Sequence, residues 1–178
     1  MSEESLKGRI GNYDLIGLIG DGAQGKVYKA RCAVPQSGSV AQDQVVAIKV
    51  LRLLSHDDRS TERFDRQVDV LKSLSHPNII RYLDSFTWHP GEWDEVKCLV
   101  LEYLEGETLD QRLKKDPRGM PWPEVRTIFE QCISGLVYAQ DQGITHRDLK
   151  PSNIFVTTEG KARIFDFDIA RRETDSQA

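Results

Sequence analysis

The most informative part of the sequence is His146–Asn153, which reads HRDLKPSN, together with Asp166-Phe167-Asp168 further along the chain. Asp148 and Asp166 are eighteen residues apart, and Asn153 lies between them. Carboxylate and amide oxygens are ligands that Mg²⁺ accepts, and a carboxylate can also accept a proton. These residues therefore predict a base at Asp148 and a cation site formed by Asn153 and Asp166.

A glycine-rich segment, residues 20–25 (GDGAQG), matches GxGxxG, and such glycines let backbone amides approach a phosphate. A flexible hairpin tip would carry the same pattern. A dinucleotide site needs a helix directly after the last glycine, whereas residues 26–31 (KVYKAR) continue as a strand. A Walker A site needs a hydroxyl at position 27, which is Val27. We therefore predict a hairpin over residues 13–31 with the glycines at its tip.

Lys49 ends the apolar stretch Val46-Ala47-Ile48 inside a predicted strand, residues 45–51. A lysine at the end of a strand can simply reach water. In apolar surroundings, however, its ammonium needs an anionic partner, because burying an unpaired charge is costly. Together with the glycine-rich segment, Lys49 favours a site for phosphate groups.

The remaining pattern predicts strands in the first half of the chain and helices in the second. Phe64, Val68, Leu71 and Leu74 recur at helical spacing and predict a helix that ends before His76-Pro77-Asn78. We predict a flexible lead-in over residues 1–12, a loop over 32–44, helices over 61–75, 108–115 and 123–142, and further strands over 79–86, 96–103, 154–157 and 162–165.

The composition excludes several classes of protein. The 178 residues are 39% hydrophobic and carry a net charge of −4, which suits a folded domain and offers no positive field for nucleic acid. No apolar run approaches the roughly 18–20 residues that cross a bilayer, and the polar N-terminus is unlike a signal peptide. Three widely spaced cysteines (Cys32, Cys98 and Cys132) indicate neither disulfides nor zinc. We expect a cytoplasmic protein.

Taken together, the motifs from about Tyr13 to Arg171 resemble the eukaryotic-type serine/threonine protein kinase family. The resemblance implies an α+β, two-lobed fold. Residues 13–103 would form a β-rich, nucleotide-binding N-lobe with one long helix. Residues 104–178 would form an incomplete helical C-lobe that holds the catalytic loop and the start of the activation segment.

The resemblance also implies an activity, which is transfer of a phosphoryl group from MgATP to a serine or threonine hydroxyl of a protein. The implied catalytic residues are Lys49, which holds the α- and β-phosphates, Asp148, which accepts the hydroxyl proton, and Lys150, which neutralises the γ-phosphate. Asn153 and Asp166 would bind Mg²⁺. The implied nucleotide-binding residues are Gly20, Gly22 and Gly25 over the phosphates, Val27, Ala47 and Phe155 around the adenine, Leu101 as gatekeeper, and Glu102 and Leu104 through their backbone groups.

The sequence departs from the family pattern at three places. Gln67 stands where the family has a glutamate partner for Lys49. It shares a helical face with Phe64 and Leu71, so we expect it to point inward, accept a hydrogen bond from Lys49 and belong to the nucleotide site. Asp168 stands where the family has glycine. The chain ends at Ala178, where the family continues with further helices, so we expect a truncated domain. The helix that begins at Pro123 would then expose Ile128, Phe129, Cys132 and Leu136, and a partner or self-association would cover this surface.

These departures keep two other functions open. One is a pseudokinase-like module that binds nucleotide or a partner without transfer. The other is a small-molecule phosphotransferase of similar fold, which HRDLKPSN disfavours because the motif resembles the protein-directed branch.

Overall fold

The computed structural model describes residues 8–22, 25–35, 39–51, 58–91, 95–116, 118–167 and 171–172. The chain divides into two compact units. The first contains residues 1–65 and 82–103, and the second contains residues 66–81 and 104–178. The chain passes from the first unit to the second between Tyr103 and Leu104, and residues 66–81 group with the second unit. The predicted lobes, residues 13–103 and 104–178, stay a prediction.

The first unit is built on one antiparallel sheet of six strands. Their order is β1-β2-β3-β4-β6-β5. The strands are β1 (Arg9–Ile10), β2 (Tyr13–Gly22), β3 (Gly25–Cys32), β4 (Val45–Leu51), β5 (Tyr82–Trp88) and β6 (Val96–Glu102).

One face of this sheet forms the core of the first unit. Tyr28 lies opposite Ile48, and Ile48 lies opposite Val100, so that one row of buried side chains crosses three strands. Side chains alternate between the two faces of a strand. Val27, Lys29, Ala47 and Lys49 therefore lie on the other face, as the alternation of β3 and β4 requires.

Two segments of the first half differ from the prediction. Arg9 and Ile10, assigned to the flexible lead-in, pair with Asp14 and Tyr13 because Ile10 is buried in the core. The strand predicted from Ile79 begins only at Tyr82, because the backbone of Ile80 donates to Ile164 O in the second unit at 2.8 Å.

Helices and short strands make up the second unit. Helix α1 (Asp58–Ser73) begins in the first unit and ends in the second. The other helices are α2 (Leu109–Lys115) and α3 (Trp122–Asp141). The strands are β7 (Gly106–Thr108), β8 (Ile144–Thr145), β9 (Ile154–Thr157), β10 (Ala162–Ile164) and β11 (Arg171–Arg172), which form the sheets β10-β9-β7 and β11-β8.

The apolar stripe of α3 is rotated relative to the prediction. Ile128 and Cys132, expected to be exposed, are 2% and 5% exposed because this side of α3 contacts β8 and β10. Phe129, Ile133 and Val137 are instead more than half exposed. The prediction is therefore correct for Phe129 and wrong for Ile128 and Cys132.

The predicted α+β class is confirmed. The three cysteines are buried thiols, and burial raises the pKa of Cys98 to about 12 and that of Cys132 to about 11. Within the described part of the chain, no helix has the length and apolar character needed to span a membrane.

Candidate active site

The register of the sheet in the first unit brings four predicted site residues onto one face. Val27 lies opposite Lys49, and Lys49 lies opposite Leu99. Two residues along the same strands, Ala47 lies opposite Leu101. Residues directly opposite each other point to the same side of a sheet. Val27, Ala47, Lys49 and Leu101 therefore share a face, as a common nucleotide site requires.

The predicted glycines close the hairpin between β2 and β3. Gly22 lies opposite Gly25, and Gly20 lies opposite Val27. Gly25 has a φ of 137°, and a Cβ atom there would overlap the carbonyl oxygen of Val50. A Cβ on Gly22 would meet no atom within 4 Å. The backbone conformation and the close approach of Val50 O thus require glycine at position 25, whereas position 22 has room for a side chain.

The side chain of Lys49 is buried, with 8% of its surface exposed. Such an ammonium needs compensation, and Lys49 does have a polar partner in the structure. Gln67 on α1 is 6% exposed and also has a partner. The inward position predicted for Gln67 is confirmed by this burial, and its pairing with Lys49 stays a prediction.

The predicted purine-binding segment lies at the end of β6. Leu101 and Glu102 are the last two residues of that strand, where Glu102 lies opposite Val46. Leu104 begins the second unit. Phe155 lies in the second unit, on β9, opposite Thr108 and Arg163.

The loop of the second unit that carries Asp148 is organised around a buried histidine. His146 is 3% exposed. Its Nε2 donates to Phe165 O at 2.9 Å, and its Nδ1 accepts from the amide of Asp148 at 3.3 Å. The ring also packs on Phe167, with 4.5 Å between ring centroids. One side chain thus joins the segment that holds Asp148 to the segment that holds Asp166.

Asp148 is held by two of the predicted site residues. Lys150 Nζ donates to Asp148 Oδ2 at 2.7 Å, and Asn153 Nδ2 donates to Asp148 O at 2.8 Å. The bond from Lys150 lowers the pKa of Asp148 below its ordinary value. The same bond raises the pKa of Lys150, and Asp166 adds to this effect. Both side chains therefore stay charged near neutral pH.

The residues predicted to bind a cation fit Mg²⁺ in their chemistry. Asn153 is buried, and its Nδ2 is engaged by Asp148, which leaves its Oδ1 to act as an acceptor. The amide of Phe165, which precedes Asp166, donates to Asn153 O at 3.0 Å. An amide oxygen and a carboxylate are hard ligands of the kind that Mg²⁺ prefers. Asp168, the third residue of this motif, lies outside the described residues.

Backbone strain marks the same two segments, and no pattern in the sequence predicts it. Arg147 has a φ of 65° and Asp166 a φ of 66°. This left-handed conformation costs non-glycine residues about 1–3 kcal/mol, and such strain is concentrated at functional sites. The hydrogen bonds of His146 and Asn153 to neighbouring backbone groups hold the strained loop in place.

Comparison with known proteins agrees with this geometry. The protein kinase domain model matches residues 13–178. Serine/threonine-protein kinase 36 of Pongo abelii is 34% identical over 159 residues, which are 89% of this chain and 11% of that protein. Serine/threonine-protein kinase PrkC of Bacillus subtilis is 35% identical over 161 residues, which are 90% of this chain and 23% of that protein. The chain therefore belongs to the serine/threonine protein kinase family.

A third relative matches this chain to a similar extent. Serine/threonine-protein kinase pkn2 of Myxococcus xanthus is 35% identical over 165 residues, which are 90% of this chain and 18% of that protein. This chain thus spans between 11% and 23% of the length of the three relatives.

Proposed function

We propose that the protein transfers the γ-phosphoryl group of MgATP to a serine or threonine hydroxyl of a protein substrate. The observation that carries this proposal is the position of Asp148. Its carboxylate accepts a bond from Lys150, and its backbone carbonyl accepts one from Asn153. A rigid carboxylate next to a lysine and a cation site is the arrangement that phosphoryl transfer needs.

In this proposal Asp148 orients the substrate hydroxyl and accepts its proton as the new O–P bond forms. The bond between the γ-phosphorus and the β,γ-bridging oxygen of ATP breaks in the same step, and ADP leaves. Its lowered pKa makes it a weak base, so orientation is its larger contribution. Lys150, whose pKa is raised, stays positive and stabilises charge on the transferred group. Proton acceptance and charge stabilisation are thus carried out by two side chains 2.7 Å apart.

The nucleotide would lie on the sheet face described above. Lys49 would bind the α- and β-phosphates, and the hairpin closed by Gly22 and Gly25 would cover them with backbone amides. The adenine-binding residues would be Val27, Ala47 and Phe155, with Leu101 as gatekeeper and the backbone groups of Glu102 and Leu104. Asn153 and Asp166 would hold Mg²⁺, which neutralises phosphate charge when bound.

A binding module without transfer activity is the second candidate. It is favoured by Gln67, a neutral amide at a buried position where the family carries a glutamate. A neutral hydrogen bond contributes about 0.5–1.5 kcal/mol, whereas a charge-assisted one contributes about 1.5–3 kcal/mol. The cytoplasmic location and a partner or second copy on α3 stay predictions.

Nucleotide binding and phosphate transfer by the wild-type chain test both candidates. Titration with a fluorescent ATP analogue, with and without Mg²⁺, measures binding, and radiolabelled ATP with a generic protein substrate measures transfer. Lys49→Met should weaken binding about 10- to 150-fold, the value of one charge-assisted bond.

Lys26→Met is the matched control, because Lys26 lies on the same hairpin opposite Val50, on the other face of the sheet. Binding with transfer supports the kinase, and Mg²⁺-dependent binding without transfer supports the module. Equal affinity in wild type and Lys49→Met would contradict both.

A further inference from the structure

Lys29 and Tyr103 form a contact that the proposed function does not use. The Nζ atom of Lys29 lies 4.1 Å from the centroid of the Tyr103 ring. A cation at this distance over an aromatic face is attracted by the negative charge density of the ring. Lys29 lies opposite Ala47, and Ala47 lies opposite Leu101, so Lys29 is on the same face as the proposed nucleotide site.

The backbone around Tyr103 has little other support from secondary structure. Strand β6 ends at Glu102, which pairs with Val46. Past that pair, Glu105 O accepts from the amide of Thr158 at 2.9 Å. Tyr103 and Leu104 lie between these two anchors and outside any strand or helix. The conformation of this short link therefore depends on how the Tyr103 side chain is held.

We infer that Lys29 is a positioning residue for nucleotide binding. By holding the Tyr103 ring, it fixes the backbone of residues 102–104 in the conformation that receives the adenine ring. This role rests on the proposed function, since it assigns the purine to that segment. It differs from the role of Lys49, because Lys29 acts on the purine through Tyr103 and does not contact the phosphates.

Four variants test whether the charge of Lys29 and the ring of Tyr103, rather than the size of the two side chains, support nucleotide binding. Lys29→Met removes the cation at similar length, and Lys29→Arg keeps it. Tyr103→Leu removes the ring, and Tyr103→Phe keeps it. A solvent-accessible cation–π contact corresponds to about a two- to fivefold change in affinity.

Lys29→Met and Tyr103→Leu should each weaken ATP binding by this factor, and the double variant should be no weaker than either. Lys29→Arg and Tyr103→Phe should bind ATP as the wild type does. In a transfer assay, the two damaging variants should raise KM for ATP and leave kcat unchanged.

Binding of adenosine shows whether Lys29 acts on the purine or contacts the phosphates directly, because adenosine has no phosphate. Lys29→Met should weaken adenosine and ATP by the same factor, whereas Lys49→Met should weaken ATP alone. Loss of ATP binding with normal adenosine binding in Lys29→Met would overturn the inference in favour of a direct phosphate contact. Normal binding of both ATP and adenosine in Lys29→Met would overturn the inference altogether.

The contact itself can be measured without nucleotide. The ring of Tyr103 should shift the Lys29 Hε resonances upfield, and Tyr103→Leu should remove that shift. A wild-type chain that shows the shift and binds neither ATP nor adenosine would contradict the proposed function and, with it, the role of Lys29. A chain that binds both and shows no shift would overturn the role of Lys29 alone.

Discussion

The sheet face of the first unit and the loop of residues 146–153 in the second unit hold their proposed site residues in different ways. In the sheet, Lys49 is aligned by backbone pairing of β4 with β3 and β6. In the loop, Asp148 is aligned by bonds from the side chains of Lys150 and Asn153. Removing a side chain from the sheet face should therefore change binding with little loss of stability. Removing one from the loop should change both together.

The largest effect should come from a change that disturbs the sheet backbone itself. In Gly25→Ala, the new methyl group would overlap Val50 O, and the residue would keep a φ of 137° that alanine disfavours. The strain alone should cost about 1–3 kcal/mol, and the overlap adds to it. Urea denaturation should show the loss of stability, accompanied by weaker nucleotide binding.

Gly22→Ala is the control for this variant, because a Cβ at Gly22 meets no atom within 4 Å. Its stability should stay within about 0.5 kcal/mol of wild type, the usual range for surface substitutions. Equal loss of stability in both variants would mean that the hairpin does not depend on the conformation of Gly25.

Asn153→Ala should lower the stability of the protein and also change nucleotide binding. It removes the bond that Asn153 donates to the part-buried Asp148 O, and loss of one hydrogen bond costs about 0.5–1.5 kcal/mol. It also removes a proposed Mg²⁺ ligand. We expect a lower urea midpoint and a smaller effect of Mg²⁺ on nucleotide affinity.

Asn78→Ala provides a matched control within the same unit. Asn78 Nδ2 donates to Gln131 Oε1 at 3.1 Å and to Ala162 O at 3.0 Å. Its loss should lower stability to a similar extent and leave the Mg²⁺ effect unchanged. A reduced Mg²⁺ effect in Asn78→Ala would show that general destabilisation, rather than a lost ligand, explains the result for Asn153.

The difference between the sheet face and the loop also explains which parts of the structure the sequence could predict. A short apolar run predicted β4 at residues 45–51, and strand alternation then places Ala47 and Lys49 on one face. The loop motif predicts which residues take part in the reaction, and that stays a prediction. It does not predict how these residues are held. The positive φ of Arg147 and the bonds of His146 to Phe165 O and Asp148 N depend on tertiary contacts, which no local pattern encodes.

Helix α3 shows a related limit. The helical spacing of its apolar residues predicts the helix itself. Which side of the helix is buried depends on the elements that pack against it. Because α3 contacts β8 and β10, Ile128 and Cys132 face inward and Phe129 faces solvent. A broad apolar stripe predicts that a helix packs, and it does not predict which of its edges stays exposed.

Gln67→Glu should have a smaller effect, and in the opposite direction. The resemblance pairs position 67 with Lys49, and a charge-assisted bond is about 1 kcal/mol stronger than a neutral one, or about fivefold in affinity. Nucleotide binding should strengthen by that factor. Gln111→Glu adds the same charge at an exposed helix cap and should change nothing. Weaker binding in Gln67→Glu would contradict the pairing with Lys49.

The smallest effect concerns the pKa of Asp148. Lys150 lowers that pKa through a bond of 2.7 Å, so Lys150→Met should raise it toward its ordinary value. A carboxylate with a depressed pKa loses its stabilising bond as the pH falls through that pKa, and the variant should have no such loss. The ¹³Cγ resonance of Asp148, followed between pH 2 and pH 6, reports the change directly.

Lys114→Met is the control for this titration, since it removes a lysine 2.7 Å from a different carboxylate, that of Asp110. The pKa of Asp148 should be the same in Lys114→Met and wild type. An Asp148 that titrates identically in wild type and Lys150→Met would mean that solvent screening cancels the bond. The donation from the Asn153 side chain to the backbone carbonyl of Asp148 would then be what holds Asp148, and the loop would still differ from the sheet in relying on a side-chain bond.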